Sequence, residues 1–171
     1  MPNWIEGIFR ARGSKENIKR FLLEALEPCV GYGKMLHEEF LKEISYEEDN
    51  YIEIEFKYAG GEEEKEEYVK TLYIEGTHRQ FIENTRTIEA SKTKNGEFQL
   101  ALDYRGAWSI DDEHFIELAK KYEVDIKVNG YERGMEFESL FEVNRKGTVI
   151  CDCFKQYSDY TWDCLMPLLG G

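Results

Sequence analysis

Residues 4–25, WIEGIFRARGSKENIKRFLLEA, decide the fold. In the first ten, Ile5, Gly7, Phe9 and Ala11 alternate with Glu6, Ile8, Arg10 and Arg12, the period of a strand with one face buried. Gly13 and Ser14 interrupt that alternation, and Ser14 is a good helix N-cap. Ile18, Phe21, Leu22 and Ala25 then follow at i, i+3, i+4 and i+7, which predicts a helix running to about Glu27 and stopped by Pro28. A strand leading into an amphipathic helix is the opening of an α+β layer structure.

Further along, Gly31 and Gly33 mark a loop, and periodicity leaves 35–44 open between a short helix and an extended segment. Ile52, Ile54, Phe56 and Tyr58 alternate with Glu53, Glu55 and Lys57. This strand is read as pairing with 68–74 in a long hairpin across the acidic stretch between them. Residues 86–91 and 97–103 flank Asn95-Gly96, whose preference for positive φ predicts a second hairpin. Phe115, Leu118, Ala119 and Tyr122 repeat the helical stripe, behind an acidic first turn of Asp111, Asp112 and Glu113 that complements the helix dipole. A strand over 124–128, turns at Asn129-Gly130 and Arg133-Gly134, and a hairpin of 135–143 with 148–156 complete the pass. The economical assembly is an α+β domain over 1–171: one antiparallel sheet with two helices packed on one face, wired β-α-β-β-α-β and open to elaboration by extra hairpin strands.

The 171 residues include 42% hydrophobic and 14% aromatic side chains, enough for one core. Thirty-five acids against 22 bases give a formal charge of −13. Such a field repels phosphate backbones and anionic membranes, so neither is expected as a direct ligand. Met1 to Glu6 shows no basic or apolar leader, and no run of 18 apolar residues occurs. Cys29, Cys151, Cys153 and Cys164 do not form a disulfide framework. The expectation is a cytoplasmic protein in a reducing compartment.

Several short motifs carry a resemblance. The Met1-Pro-Asn-Trp4 opening, with Glu6-Gly7 and the strand into Lys15–Leu22, resembles a family of small phage and plasmid proteins with a ferredoxin-like domain. Gly76-Thr-His-Arg79, Tyr104–Asp111, Gly130–Phe137 and Tyr160–Cys164 through Gly171 are similar to a Gram-positive mobile-element branch of it. The resemblance implies a ferredoxin-like topology, without an iron–sulfur cluster, in the cytoplasm of a bacterial host. It also implies a mobile-DNA context, in which small acidic proteins of the anti-CRISPR or anti-restriction type occupy surfaces meant for nucleic acid. It carries over no catalytic residue.

Charge is the sharpest candidate feature. Residues 43–67 hold eleven acids and two bases, a net −9 of the −13. Glu47, Glu48 and Asp49 enter the strand at 51–58, and Glu62, Glu63, Glu64, Glu66 and Glu67 lie on the loop beyond it. Clustered carboxylates imitate a phosphate row and match Arg and Lys donors; the plainer reading is a solubilising loop. Asp111 and Asp112 form a second patch, whose simplest use is the helix N-terminus. Arg79 and Arg133 sit among turn residues, where pairing with nearby carboxylates is the simplest role.

No cofactor or metal is expected. Cys151 and Cys153 are read as small buried strand residues. His37, His78 and His114 are isolated and lack metal-ligand spacing, and Trp108 and Trp162, which could serve as exposed anchors, are more simply read as core aromatics. No nucleophile elbow or phosphate loop is present. The resulting expectation is not an enzyme but an inhibitor of a basic host protein, such as a CRISPR effector or restriction nuclease, working by acidic mimicry of nucleic acid. The alternatives are a small hydrolase acting on a nucleotide signal through His78, Arg79 and nearby carboxylates, or a structural or regulatory accessory protein. The oligomeric state is open.

Overall fold

The alternation of Trp4–Gly13 becomes β1, the axis of the molecule in the computed structural model, which describes residues 3–32, 34–35, 40–58, 69–83 and 86–171. Ser14 accepts a hydrogen bond from the Asn17 amide at 3.2 Å and starts α1, Lys15–Ala25, which buries Ile18, Phe21, Leu22 and Ala25. The second stripe becomes α2, Asp112–Tyr122, burying Phe115, Leu118, Ala119 and Tyr122. Both helices cover the same face of β1. Phe9 stacks on Phe21 with ring centroids 5.8 Å apart and meets Phe115 at the same distance, while Phe21 meets Tyr122 edge-on. Burying each such side chain contributes about 1.5–3 kcal/mol.

The sheet is far larger than the sequence suggests, which overturns the two-helix ferredoxin-like α+β expectation. Among the described residues, twelve antiparallel strands form one sheet, and a third helix, α3, spans only Tyr160–Asp163. The strands after β1 are β2 Leu26–Val30, β3 Lys34–Met35, β4 Phe40–Glu48, β5 Tyr51–Tyr58, β6 Val69–Ile74, β7 Gln80–Glu83, β8 Thr87–Lys92, β9 Phe98–Ala107, β10 Asp125–Glu132, β11 Phe137–Val143 and β12 Val149–Gln156. On one side of β1 the order runs β10, β11, β12; on the other lies β9, where the sheet forks. Tyr104 to Gly106 pair with β7, leading to β6, β2 and β3, whereas Phe98 and Gln99 pair with β8, leading to β5 and β4. Apolar residues of both branches, including Leu72, Ile74 and Ile82 on one and Ile52, Ile54 and Ile88 on the other, join one core.

Three local expectations are corrected with it, and one left open is resolved. β5 and β6 do not form a hairpin: β5 pairs with β4 and β8, and β6 with β2 and β7. Pro28 does not simply end α1, because the chain turns extended at Leu26 and Pro28 lies inside β2, opposite Leu72. The open segment 35–44 contributes strand β4 from Phe40 onward. Asn129-Gly130 is no turn but the middle of β10. Gly130 faces Gly7 across the ladder, and a Cβ on Gly7 would lie 2.0 Å from the Asn129 carbonyl oxygen, so these glycines serve close approach of two backbones.

The chain end folds back over β1. The Gly170 amide donates to Glu6 and the Gly171 amide to the Trp4 carbonyl, at 2.9 and 3.0 Å, while Tyr157, Tyr160 and Cys164 pack with Tyr131. No helix among the described residues is long and apolar enough to cross a membrane.

Candidate functional site

Two loops converge beside the start of α2: Glu75–Arg79, between β6 and β7, and Trp108–Asp111, between β9 and α2. Buried Gln80 ties them together, its amide donating to the His78 carbonyl at 2.9 Å and the Ser109 carbonyl at 3.2 Å, while its own oxygen accepts from Tyr104. Gly106 is required here, since a Cβ would meet both Gln80 and the Tyr104 hydroxyl. Arg79 and Trp108 both take positive φ, 56° and 72°, a costly conformation for bulky side chains that the surrounding hydrogen bonds must hold. The Ala107 amide donates to the Arg79 carbonyl and the Trp108 amide to the Asn3 carbonyl. The result is a cleft of about 840 Å³ whose lining includes Tyr32, Tyr73, Arg79, Trp108 and Asp111. The Arg79 guanidinium lies 5.3 Å from the Trp4 ring.

Asp111 is the hub of this cleft. It occupies the N-cap position of α2 but makes no side-chain cap hydrogen bond. Instead Oδ2 lies 3.2 Å from His78 Nδ1 and also accepts from the His78 amide, and Oδ1 lies 2.8 Å from His114 Nδ1. The two imidazoles stand nearly perpendicular, with centroids 4.6 Å apart. Burial pushes the Asp111 carboxyl up, but hydrogen bonds from the His78 amide and His114 outweigh it, and the net shift is down. Hydrogen bonding to Asp111 raises His114. His78 and His114 are 36 residues apart, so sequence spacing could not join them; the available signal was Asp111 and His114 at i and i+3 on one helix turn. Reading His78 and His114 as isolated is therefore corrected, as is reading Asp111 as a plain helix cap.

The acidic candidates do not form one surface. Tyr51 pairs with Ser91, Ser91 with Gln99 and Gln99 with Arg12, which puts the β4–β5 turn near the C-terminal end of β1. Ala107, just before the cleft, pairs with Trp4 at the other end. Ten strand residues, roughly 30 Å, separate Glu47, Glu48 and Asp49 from Asp111 and Asp112. Glu47 is bridged to Lys15 at 2.8 Å and Lys19 at 3.1 Å, Glu48 accepts from Tyr46, and Asp49 is exposed. Glu62, Glu63, Glu64, Glu66 and Glu67, and His37, lie outside the described residues. The Asp112 carboxylate accepts from the Glu113 amide, Arg79 sits in the cleft, and Arg133 is exposed in the β10–β11 turn.

Three further readings change. Trp108 and Trp162 are not core aromatics: they are 61% and 85% exposed. Cys151 is half-buried and Cys153 exposed, because β12 is a sheet edge whose residues face outward. Arg79 is engaged with an aromatic ring, with no carboxylate ion-pair partner among the described residues. No protein-family model, characterised protein or solved structure matches the chain.

Proposed function

We propose that the protein is a non-catalytic phage or mobile-element accessory protein that blocks a basic, nucleic-acid-handling host protein, such as a CRISPR effector or restriction nuclease. Its contact surface is the β4 edge. The observation that carries this reading is that residues 41–48 of β4 pair only with β5 among the described residues, and expose Leu41, Ile44 and Tyr46 between Glu43, Glu47 and Glu48. An unpaired edge offers backbone donors and acceptors to an added strand, apolar side chains give it adhesion, and carboxylates select a cationic partner. The resemblance to small phage and plasmid proteins supplies the context. Asp111, Asp112, Arg79 and Arg133 lie at the other end of β1 and fall outside this contact.

Pull-down against a panel of purified CRISPR effectors and restriction nucleases tests it. Capture should weaken steeply between low and moderate salt and drop sharply in a Glu43→Gln, Glu48→Gln, Asp49→Asn variant; capture indifferent to both changes rules the mechanism out. The cleft favours a second reading, a small hydrolase acting on a nucleotide signal, because His78, Arg79 and Asp111 converge there. Turnover of a cyclic or linear nucleotide that disappears in His78→Ala would support it.

A further inference from the structure

We infer that His78, Asp111 and His114 form a binding site for one divalent first-row transition ion of the zinc class, with its remaining coordination positions open to the cleft. One ligand atom from each residue lies within 4.8 Å of the other two. His78 Nδ1 lies 3.2 Å from Asp111 Oδ2 and His114 Nδ1 lies 2.8 Å from Asp111 Oδ1, so each imidazole already stands about one tetrahedral edge, roughly 3.3 Å for bonds of 2.0–2.1 Å, from one oxygen of the shared carboxylate. Rotation of His78, whose side chain is 82% exposed, can bring its Nδ1 to the carboxylate oxygen that His114 meets. On taking the ion, each neutral imidazole presents Nδ1 with its proton on Nε2, exchanging its contact with Asp111 for a metal bond.

The carboxylate itself supplies an independent reason. Asp111 is 10% exposed and sits where a helix cap belongs, yet it forgoes the helix amides and spends both oxygens on the two imidazoles. A residue kept only for capping would do the reverse. Two imidazoles and a carboxylate suit zinc, cobalt, nickel or iron(II) rather than magnesium or calcium, and three protein ligands leave room for exchangeable solvent. His78 and Asp111 line the same cleft as Arg79 and Trp108.

The test uses the full chain, stripped with chelator and titrated with Co²⁺ and Zn²⁺ by calorimetry and visible absorption. One saturable equivalent is expected, with the absorption of a tetrahedral or five-coordinate cobalt centre. His78→Ala should weaken binding at least about tenfold, and His114→Gln and Asp111→Asn should do the same. Because His78 is exposed, its replacement leaves the fold intact, which circular dichroism checks. Cys151→Ser/Cys153→Ser and His37→Ala variants should bind as the parent does. Absence of saturable binding, binding unchanged in His78→Ala with His114→Gln, or binding lost with the cysteines or His37 would overturn the assignment.

Discussion

Asp111 and Asp125 stand at the two ends of α2, both little exposed, at 10% and 17%, and they are answered by different chemistry. Asp125 meets permanent cations. Its Oδ1 accepts from the Arg145 amide and Nε at 2.9 and 3.0 Å, its Oδ2 from Arg145 and Arg12 at 2.7 and 3.0 Å, and Glu97 bridges the same two guanidinium groups. Asp111 meets two imidazoles, a side chain that commonly ligates metals. Burial alone would raise both carboxyls. Around Asp125 the arginine hydrogen bonds win decisively and hold the group at about 2, clamping the start of β10 to β1 and the β11–β12 turn. The same residue type is thus a fastening at one end of a helix and an exchangeable ligand at the other, and the partner decides which.

The largest effect should come from between the two. Phe115 is fully buried on α2 against Phe9 and Tyr104, so Phe115→Ala is expected to cost about 3–5 kcal/mol. Urea unfolding should show both ends of the helix failing in one transition. Separate transitions would mean that the two ends belong to different cooperative units.

Asp125→Asn comes next, at about 1–2 kcal/mol near pH 7 once solvent screening is allowed for. Its folded pKa of about 2 lies below the unfolded value of about 3.9. The charged clamp is therefore fully stabilising above pH 4 and is lost as pH falls from there towards 2. The gap between parent and variant in urea midpoint should close over that window; a gap unchanged at pH 2.5 would show that shape, not charge, holds this end.

The two ends also differ in how visible they were in the sequence. The helices were legible because Ile18, Phe21, Leu22 and Ala25, and Phe115, Leu118, Ala119 and Tyr122, repeat at a local period, and each of these residues is buried. Pairing was not local. Nothing in residues 51–58 says that β5 lies beside β8 rather than β6, and Gly130 looks like a turn residue until Gly7 is placed opposite it. Short strands such as Gln80–Glu83 lack enough residues to show a period. The cleft was legible only as parts, because His78, Arg79 and Asp111 were visible as residue types while β7 and β9 bring them together.

Asp111→Asn should be milder than Asp125→Asn, below about 1 kcal/mol in metal-free protein, because asparagine still offers an acceptor to the His78 amide and one imidazole. Thermal melts compare the two directly. A loss larger than that of Asp125→Asn would recast the imidazole cluster as a fastening like the other end.

The smallest effect on stability is expected at Glu47. Lys15 and Lys19 lower its pKa through hydrogen bonds, yet Glu47 itself is exposed, so screening and side-chain entropy cancel most of the attraction. Glu47→Gln should leave the urea midpoint unchanged within error. The same pairing predicts a ranking in partner capture. Glu47 already has two cations beside its carboxylate and adds little to the local field, whereas the Glu48 carboxylate accepts from the Tyr46 hydroxyl with no cation bridged to it among the described residues, and Asp49 is exposed in the turn. Glu48→Gln with Asp49→Asn should therefore weaken binding of a basic protein more than Glu47→Gln does. The reverse order would mean that the partner displaces the lysines and takes Glu47 for itself.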